Sequence, residues 1–491
     1  MVLNVLKRLL TPVSFVILFR RKAVSQGVQR VDRFHSPMRR LCSVALIVAL
    51  AWMMPNSTAF AQGGQTIIRD AEIEGIIRAY STPLFVAAGL DPKSVNIRLI
   101  QDSTLNAFVA GGRNIFIHTG LLLASKDPNA LIGVIAHETG HIEGGHLSRT
   151  RNAIEGASMV QLIGTLLGVA AAVGSGRSDV GQAVIMGSQS AGQRIFMKYS
   201  QTQESAADQA AMRLLEETER SARGLEGFLS QLGDQEILNP RLQDPYAQTH
   251  PLSRERIDTL RAYIATSPYS DKPPSNEDVE AHAIMVAKLF AFINPFIQTM
   301  RKYPETDQSF AARYARVIAH YRKPDLKTAL PLLDELIHEM PRNPFLLELK
   351  GQMLFEHARP QEALEAYRKS YELLPDEPLI IMELARVELE VGTPELIDQS
   401  IEHLSIAHHL GAANAFSWRQ LGIAYGRKGE MGLSSLALAE SEYRTGQLAN
   451  AQYHAGRAVS LLKTGSREHL QAQDLEEAIK VAMARRAAAK K

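Results

Sequence analysis

The spacing of apolar residues predicts a small unit of mixed helices and strands in the first part of the chain. Apolar side chains recur at helical spacing within Arg69–Tyr80, whereas Val95–Ile100 alternates apolar and polar positions as a β-strand does. Two further apolar runs, Leu105–Ala110 and Ile115–Ile117, flank two successive glycines, a pattern typical of a β-hairpin. We therefore expect a helix, a strand and a hairpin in that order.

The second half of the chain has a different period. Ser267–Glu277 contains three prolines and predicts a linker. Beyond it, pairs of identical residues lie 34 positions apart: Ala329 and Ala363, Leu330 and Leu364, Pro341 and Pro375, and Pro344 and Pro378. This is the period of the tetratricopeptide repeat, a helix–turn–helix unit. The pattern predicts a solenoid of stacked helix pairs whose concave face binds other proteins.

The predicted helix Pro128–Ser148, which Asp127 can cap, contains the most informative sequence. An apolar run leads directly into His-Glu-x-x-His, with the histidines at His137 and His141. Residues four apart share one helix face, so both imidazoles can bind one divalent metal ion, usually zinc. Glu138 lies beside that face and can take a proton from water and deliver it to a leaving amine. The pattern is typical of zinc metallopeptidases.

A third metal ligand is predicted further along the chain. Glu204 and Asp208 are four residues apart in a predicted helix, so their carboxylates lie on one face. Glu204 can complete a site of two histidines and one glutamate, and Asp208 can accept a hydrogen bond from a ligand imidazole. The alternative for this pair is a solvated acidic surface.

Four other polar residues lie near these motifs. Zincins with a third histidine ligand place it six residues after the second, a position that Leu147 occupies here. We therefore interpret His146 either as a helix-end residue or as a residue that contacts a ligand from behind, and His118 as structural. Asn106 either binds substrate backbone beside an edge strand or is a polar residue near a turn. His250, which precedes a proline, either donates a hydrogen bond to the transition state or is a loop residue.

The amino-terminal segment predicts a secreted protein. Met38–Arg40 is basic, Leu41–Met54 is apolar, and Ala59–Ala61 offers a small-x-small cleavage site, so we expect cleavage after Ala61. Cys42, the only cysteine, lies in the apolar core of this signal. The processed chain would therefore contain no disulfide bond.

A second apolar segment, Ala157–Val173, is long enough to suggest a membrane span. A single crossing would place His141 and Glu204 on opposite sides of the membrane. We therefore interpret the segment as a plug over the cleft or as a surface that touches a membrane peripherally.

The charge distribution excludes one class of partner. The formal net charge is +2, but the first 61 residues hold nine basic residues and one acidic residue. The remainder holds 45 basic and 51 acidic residues and is therefore acidic overall. Such a chain is not expected to bind nucleic acid. Protein or peptide substrates are the better prediction.

These patterns together predict an α+β zincin-like metallopeptidase domain followed by an all-α tetratricopeptide-repeat solenoid. The predicted division is a leader and signal at 1–61 with the signal proper at 38–61, a zinc metallopeptidase domain at 62–266, a linker and connecting helix at 267–308, a repeat domain at 309–480 and a basic tail at 481–491.

The order of four motifs resembles the zinc-peptidase family of the CAAX prenyl protease and HtpX, over residues 70–262. The motifs are Asn106-Ala-Phe, His137-Glu-x-x-His141, Glu204-x-x-Ala-Asp208 and Thr249-His250-Pro-Leu-Ser-x-x-Arg256-Ile. The resemblance implies that His137, His141 and Glu204 bind Zn²⁺ and that Glu138 is the general base. It also implies that His250 can approach the zinc as a fourth ligand and keep the enzyme latent.

The soluble periplasmic branch of this family also carries a repeat array, so the resemblance extends over the processed chain. It implies a periplasmic zinc endopeptidase whose repeats recruit misassembled outer-membrane proteins or their assembly machinery. The alternative is a repeat-based chaperone or adaptor in which proteolysis is minor or latent. The presence of Glu138 and of a third ligand candidate, Glu204, favours the enzyme.

Overall fold

The computed structural model describes residues 66–146, 200–233, 246, 250 and 253–488. The predicted signal at 38–61 and the apolar segment at 157–173 lie outside these residues. The first part of the described chain forms a small sheet covered by helices. Its elements are β1 Ile67–Ile68, α1 Ala71–Ala87, β2 Asn96–Ile100, β3 Ala107–Ala110, β4 Asn114–His118, α2 Thr119–Ala124, α3 Pro128–Glu143, α4 at 200–217, α5 Arg223–Gly233 and α6 Arg254–Ile264.

The four strands have the order β1-β2-β4-β3. Strands β2 and β4 are parallel, and β3 pairs with β4 as an antiparallel hairpin, so the predicted strand and hairpin are confirmed. Gly111 and Gly112 in the hairpin turn have φ angles of +58° and +94°, a backbone conformation that costs glycine little. Among the strands of the described chain, β3 lies at the sheet edge next to α3.

Helix α3 crosses the centre of this unit. Asp127 accepts a hydrogen bond from the Ala130 amide at 3.1 Å, so the predicted cap is confirmed. The apolar run from Leu131 to Ala136 is buried in a core shared with α1, the sheet, α4 and α5. The helix ends at Glu143, five residues before the predicted end at Ser148. Shortly after this end, Gly145 adopts a φ of +60°. The backbone therefore turns away directly after the second histidine of the motif.

The second part of the described chain is entirely helical. Two connecting helices, α7 Asn276–Ile293 and α8 Phe296–Lys302, precede five successive helix pairs within residues 310–488. These are α9 Phe310–Arg322 and α10 Leu326–Glu339, α11 Pro344–Glu356 and α12 Pro360–Leu373, α13 Pro378–Val391 and α14 Pro394–His409, α15 Ala415–Lys428 and α16 Met431–Arg444, and α17 Leu448–Leu461 and α18 Arg467–Ala488. Helices α11 and α13 begin 34 residues apart, as do α12 and α14. The predicted tetratricopeptide solenoid is confirmed.

No helix within the described ranges is long and apolar enough to cross a membrane.

Helix α7 joins the two parts because it contributes to both cores. Met285 and Leu289 pack in the core of the first unit, whereas Ala287 and Ala291 pack in the core of the first repeat. One apolar face of α7 therefore packs against the first unit, and the other packs against the first repeat.

A buried ion cluster lies at the same junction. The Lys288 ammonium is 2.9 Å from Asp70 Oδ2 and 3.0 Å from Glu72 Oε2. Tyr314, on the first repeat helix, donates a hydrogen bond of 2.9 Å to Glu72 Oε2. All of these groups except Asp70 are nearly inaccessible to solvent. One cation thus compensates two carboxylates exactly where the repeats meet the first unit.

We predict that Lys288→Met destabilises the protein strongly. The substitution leaves the Glu72 carboxylate buried beside Asp70 without a cation, which typically costs roughly 3–5 kcal/mol. The free energy of unfolding in urea measures the effect. Lys350→Met is the matched control, because the Lys350–Asp334 pair is partly exposed and should contribute about 1 kcal/mol or less. Equal effects of the two substitutions would contradict the role assigned to Lys288.

Candidate metal centre and active site

Four side chains converge on one point at the centre of the first unit. His137 and His141 come from α3, Glu204 from α4, and His250 from a position after α5. Their nearest ligand atoms all lie within 4.8 Å of one another, and His137, Glu204 and His250 are almost completely buried. The predicted helical placement of the two histidines on one face thus brings their Nε2 atoms to 3.1 Å.

Five of the separations between donor atoms are close to those of a tetrahedral site. His137 Nε2 lies 3.3 Å from Glu204 Oε2, and His141 Nε2 lies 3.4 Å from Glu204 Oε1. His250 Nδ1 is 3.2 Å from Glu204 Oε2 and 3.4 Å from His137 Nε2. Zinc–ligand distances near 2 Å in a tetrahedron place donors roughly 3.3 Å apart. The donor set of imidazoles and one carboxylate is also the one that zinc prefers, so these residues could hold a zinc ion.

The close approach of α3 and α4 brings Glu204 to the histidines. A Cβ atom on Gly140 would lie 2.8 Å from the carbonyl oxygen of Ala207, closer than such atoms are found. Glycine at this position in the metal-binding motif therefore allows the two helix backbones to touch. The residues next to this contact, His141 on α3 and Glu204 on α4, face each other as a result.

Asp208 lies one helical turn beyond Glu204 and contacts the back of a ligand. Its Oδ1 is 2.9 Å from His137 Nδ1. Arg256, on α6, binds the same carboxylate in a bidentate manner, with Nε at 2.6 Å from Oδ2 and Nη2 at 2.9 Å from Oδ1. Arg256 Nη1 also lies 3.1 Å from Glu204 Oε2. One buried guanidinium thus orients both carboxylates of α4.

No sequence pattern predicted a role for Arg256. In the sequence, Arg256 is distinguished only as the last charged residue of the motif that contains His250. Its partners, Glu204 and Asp208, lie about fifty positions earlier, and only the packing of α6 against the core brings them together.

The electrostatic field of the site favours positive charge at the donor atoms. Burial alone would lower the pKa of His137, but Asp208 and Glu204 raise it to about 10. Burial would raise the pKa of Glu204, yet His250 and His137 lower it well below its usual value. The carboxylates are therefore ionised and stabilise a cation beside them. A divalent metal ion satisfies the same field.

Glu138 has a different environment from Glu204. Its side chain is fully buried, and among the described residues neither carboxylate oxygen accepts a hydrogen bond. Its nearest titratable neighbour is His250, with Nε2 at 3.4 Å from Oε1. Burial raises the pKa of Glu138, with His250 and His137 opposing the rise. An unbonded carboxylate beside the donor cluster is suited to accept a proton from a molecule that enters the site.

The remaining predicted residues lie around this cluster. His146 Nδ1 is 3.0 Å from His141 Nδ1, on the side of the ring that faces away from the donor atoms. His118 ends β4 and interacts with Thr104 Oγ1 at 2.9 Å, away from the cluster. Asn106 is buried directly before edge strand β3, and its carbonyl accepts a hydrogen bond from the His118 amide.

Tyr246 and His250 lie beside the start of strand β3. The Tyr246 amide donates a hydrogen bond of 3.2 Å to the Leu105 carbonyl, and His250 Nε2 lies 3.1 Å from the Ala107 carbonyl oxygen. The Tyr246 ring stacks on the His250 imidazole with a centroid distance of 4.5 Å. No sequence pattern pointed to Tyr246. Its contacts place His250 between the edge strand and the donor cluster.

Comparison with known proteins identifies the unit that holds this site. Residues 68–264 match the model of peptidase family M48. This segment is a peptidase M48 domain. M48 enzymes are zinc metallopeptidases, so the resemblance predicted from the motifs is confirmed, as are the enzyme class and the zinc cofactor. The chain is a zinc metalloprotease with a tetratricopeptide array.

Relatives match both the M48 domain and the repeats. The chain is 21% identical over 374 residues to the beta-barrel assembly-enhancing protease of Yersinia pestis. The matched region covers 75% of this chain and 76% of that protein. A protein of the same name from Escherichia coli (strain K12) is 21% identical over 417 residues, covering 80% and 84%. Metalloprotease YcaL of Escherichia coli (strain K12) is 30% identical over 173 residues, covering 35% and 63%. The likeness to the first two extends well beyond the M48 domain.

We predict that Asp208→Asn weakens zinc binding by about 10–100-fold, because the carboxylate that orients the His137 imidazole is lost. Competition with a chromophoric zinc chelator measures the dissociation constant. Glu217→Gln is the matched control, since Glu217 lies on the same helix but forms an exposed ion pair with Arg213. An unchanged zinc affinity of the Asp208 variant would show that Arg256 alone orients the site.

Proposed function

We propose that the protein is a periplasmic zinc endopeptidase in which His137, His141 and Glu204 hold the metal and Glu138 is the general base. The single observation that carries the proposal is the buried Glu138 carboxylate, which forms no hydrogen bond within the described chain yet adjoins the four-donor cluster. A carboxylate in such a place costs folding free energy, so a role in proton transfer explains its presence better than a structural role does.

The residues of the site divide the work of peptide hydrolysis. A zinc ion supplies Lewis-acid polarisation of the scissile carbonyl and lowers the pKa of water. Glu138 accepts a proton from the attacking water and passes it to the leaving amine nitrogen. Asp208 and Arg256 hold His137 and Glu204 in position during both steps. Strand β3 offers backbone groups that can pair with an extended substrate, and Asn106 at its start adds a side-chain amide.

We predict that Glu138→Gln lowers casein cleavage by about 10²–10⁴-fold while zinc content stays the same. Glutamine fills the same volume but cannot accept a proton, and loss of a general base typically has this effect. Glu143→Gln is the matched control, because Glu143 lies on the same helix and pairs with Arg213 at the surface. Cleavage at the wild-type rate by the Glu138 variant would overturn the mechanism.

We further propose that His250 keeps the resting enzyme latent. Three protein ligands leave the fourth position of a catalytic zinc site for water, and a neutral imidazole there excludes the nucleophile. His250 Nδ1 takes a place in the donor cluster at 3.2 Å from Glu204 Oε2, and its Nε2 is directed to the Ala107 carbonyl. The residue thus competes for both the water position and the edge strand. The alternative, an oxyanion donor, needs an N–H group that is free to face the substrate.

We predict that His250→Ala increases casein cleavage and self-cleavage at unchanged zinc content. Removal of the imidazole frees both the fourth position and the Ala107 carbonyl. If His250 is instead an oxyanion donor, the same substitution should lower turnover by about 10²-fold or more. The exposed His338→Ala is a control for the loss of a histidine elsewhere. A fall in activity with full zinc occupancy excludes the latency switch.

The repeats suggest the context in which this protease acts. Their concave face is suited to hold protein clients or an assembly complex. The names of the relatives associate such a chain with the assembly of β-barrels, so we infer outer-membrane proteins or their assembly machinery as partners. The predicted signal cleaved after Ala61 and the proposed periplasmic location agree with that inference. A latent protease of this kind would also account for a chaperone-like activity without a separate site.

A further inference from the structure

A cavity of about 530 Å³ lies where the concave face of the repeats closes over the start of the M48 domain. One wall consists of the segment from Ile68 to Ile73 and the end of α7. The other wall consists of side chains from α11, α13 and α15, the first helices of three successive repeats, and from α12. Ligand sites in proteins typically have volumes in this range.

The cavity is lined by more carboxyl groups than basic groups. Arg386 is neutralised by Glu383 at 2.5 Å, and Arg69 by Glu74 at 2.6 Å. Glu348 and Glu356 also face the cavity. Neither pairs with a basic side chain within the described ranges, although Glu356 accepts hydrogen bonds from the Tyr321 hydroxyl and the Gln352 side-chain amide. Both acidic residues therefore lack a cation of their own.

Several buried polar atoms of the lining have no hydrogen-bond partner among the described residues, including Glu383 Oε2 and Arg386 Nε. Tyr367 also lines the cavity and is only 1% exposed. Glu348 Oε2 is buried and likewise accepts no hydrogen bond in that part of the chain. Burial raises the pKa of Glu348 to about 8, with Lys288 opposing the rise and neighbouring carboxylates adding to it, so at neutral pH this carboxyl group ionises fully only when a further cation binds beside it. Groups of this kind are costly unless a ligand satisfies them.

Apolar side chains complete the lining and continue beyond it. Phe292, Leu379 and Met382 lie among the polar groups. Phe416 at the rim and Ile423, seven residues later on the same face of α15, are 39% and 38% exposed. A ligand that matches this surface has a cationic end for the carboxyl groups and an aliphatic stem for the apolar side chains among them. A lysine or arginine in a polypeptide has both, and apolar residues next to it in the polypeptide can contact the rim. Within the described chain, the one group of histidines and carboxylates close enough to bind a metal is that of the M48 site, so the cavity does not match a metal ion.

We propose that this cavity binds a lysine or arginine side chain of an extended client polypeptide, with Glu348, Glu356 and Tyr367 contacting its cationic end. The repeats and the M48 domain build the site together, so it holds a client next to the protease while distant segments reach the active site. The proposal deepens the proposed function and rests on it for the identity of the ligand as a protease client.

The test measures peptide binding to the full chain with Glu138→Gln, which separates binding from hydrolysis. The probe is a fluorescein-labelled dodecapeptide of glycine, serine and leucine that contains two lysines, and the matched peptide has glutamine at both positions. Fluorescence anisotropy should show that the lysine peptide binds about tenfold more tightly than the glutamine peptide. Glu348→Gln should abolish this difference, and Tyr367→Phe should reduce it. Glu365→Gln, an exposed change on α12, should have no effect.

Several outcomes would overturn the proposal. Equal affinity for the two peptides shows that the cavity does not select a cationic side chain. An unchanged lysine-peptide affinity in the Glu348 variant, with the unfolding midpoint unchanged, shows that binding occurs elsewhere. Spermidine binding that depends on Glu348, without lysine-peptide binding, assigns the cavity to a small polyamine instead. Failure of the proposed function is distinguishable, because it appears as absent casein cleavage by both the wild-type chain and the His250→Ala variant with these affinities intact.

Discussion

The contact between helices α3 and α4 at Gly140 and Ala207 determines the geometry of the active site. The helical repeat alone sets the relative positions of two ligands on one helix. The position of a ligand from a second helix depends on how closely the two backbones approach. Without a Cβ at position 140, the backbones touch, and Glu204 reaches both imidazoles. The bidentate pair between Asp208 and Arg256 then fixes the rotation of α4. A larger residue at position 140 would separate the donors even with every ligand retained.

How much of this could be read from the sequence depends on how local each interaction is. His137, Glu138 and His141 lie within one helical turn or two, so their spacing predicted their arrangement. Glu204 was predicted because its own helix pairs it with Asp208, although nothing local placed that helix beside α3. The role of Arg256 depends on the tertiary packing of α6, and no periodic pattern reports such a contact. The same reason explains why Tyr246 carried no signal.

The junction between the two parts shows a related limit. Apolar periodicity predicted a connecting helix but could not assign its two apolar faces to two different cores. The ion cluster of Lys288, Asp70 and Glu72 joins positions more than two hundred residues apart. Because this cluster is buried, the repeats are held against the M48 domain by specific charges and not only by a flexible linker. The cavity beside it therefore has a defined shape, which a tethered but mobile array would lack.

Buried carboxylates link these observations. Glu72, Glu204 and Asp208 are each compensated by a cation or by several hydrogen bonds, as folding requires for buried charge. Glu138 and Glu348 are not compensated in this way within the described chain, and burial raises the pKa of both. A protein retains such groups when a bound molecule or a proton in transit interacts with them. Glu138 adjoins the zinc donors and Glu348 the cavity under the repeats, so one chain carries two separate places that require a partner from outside.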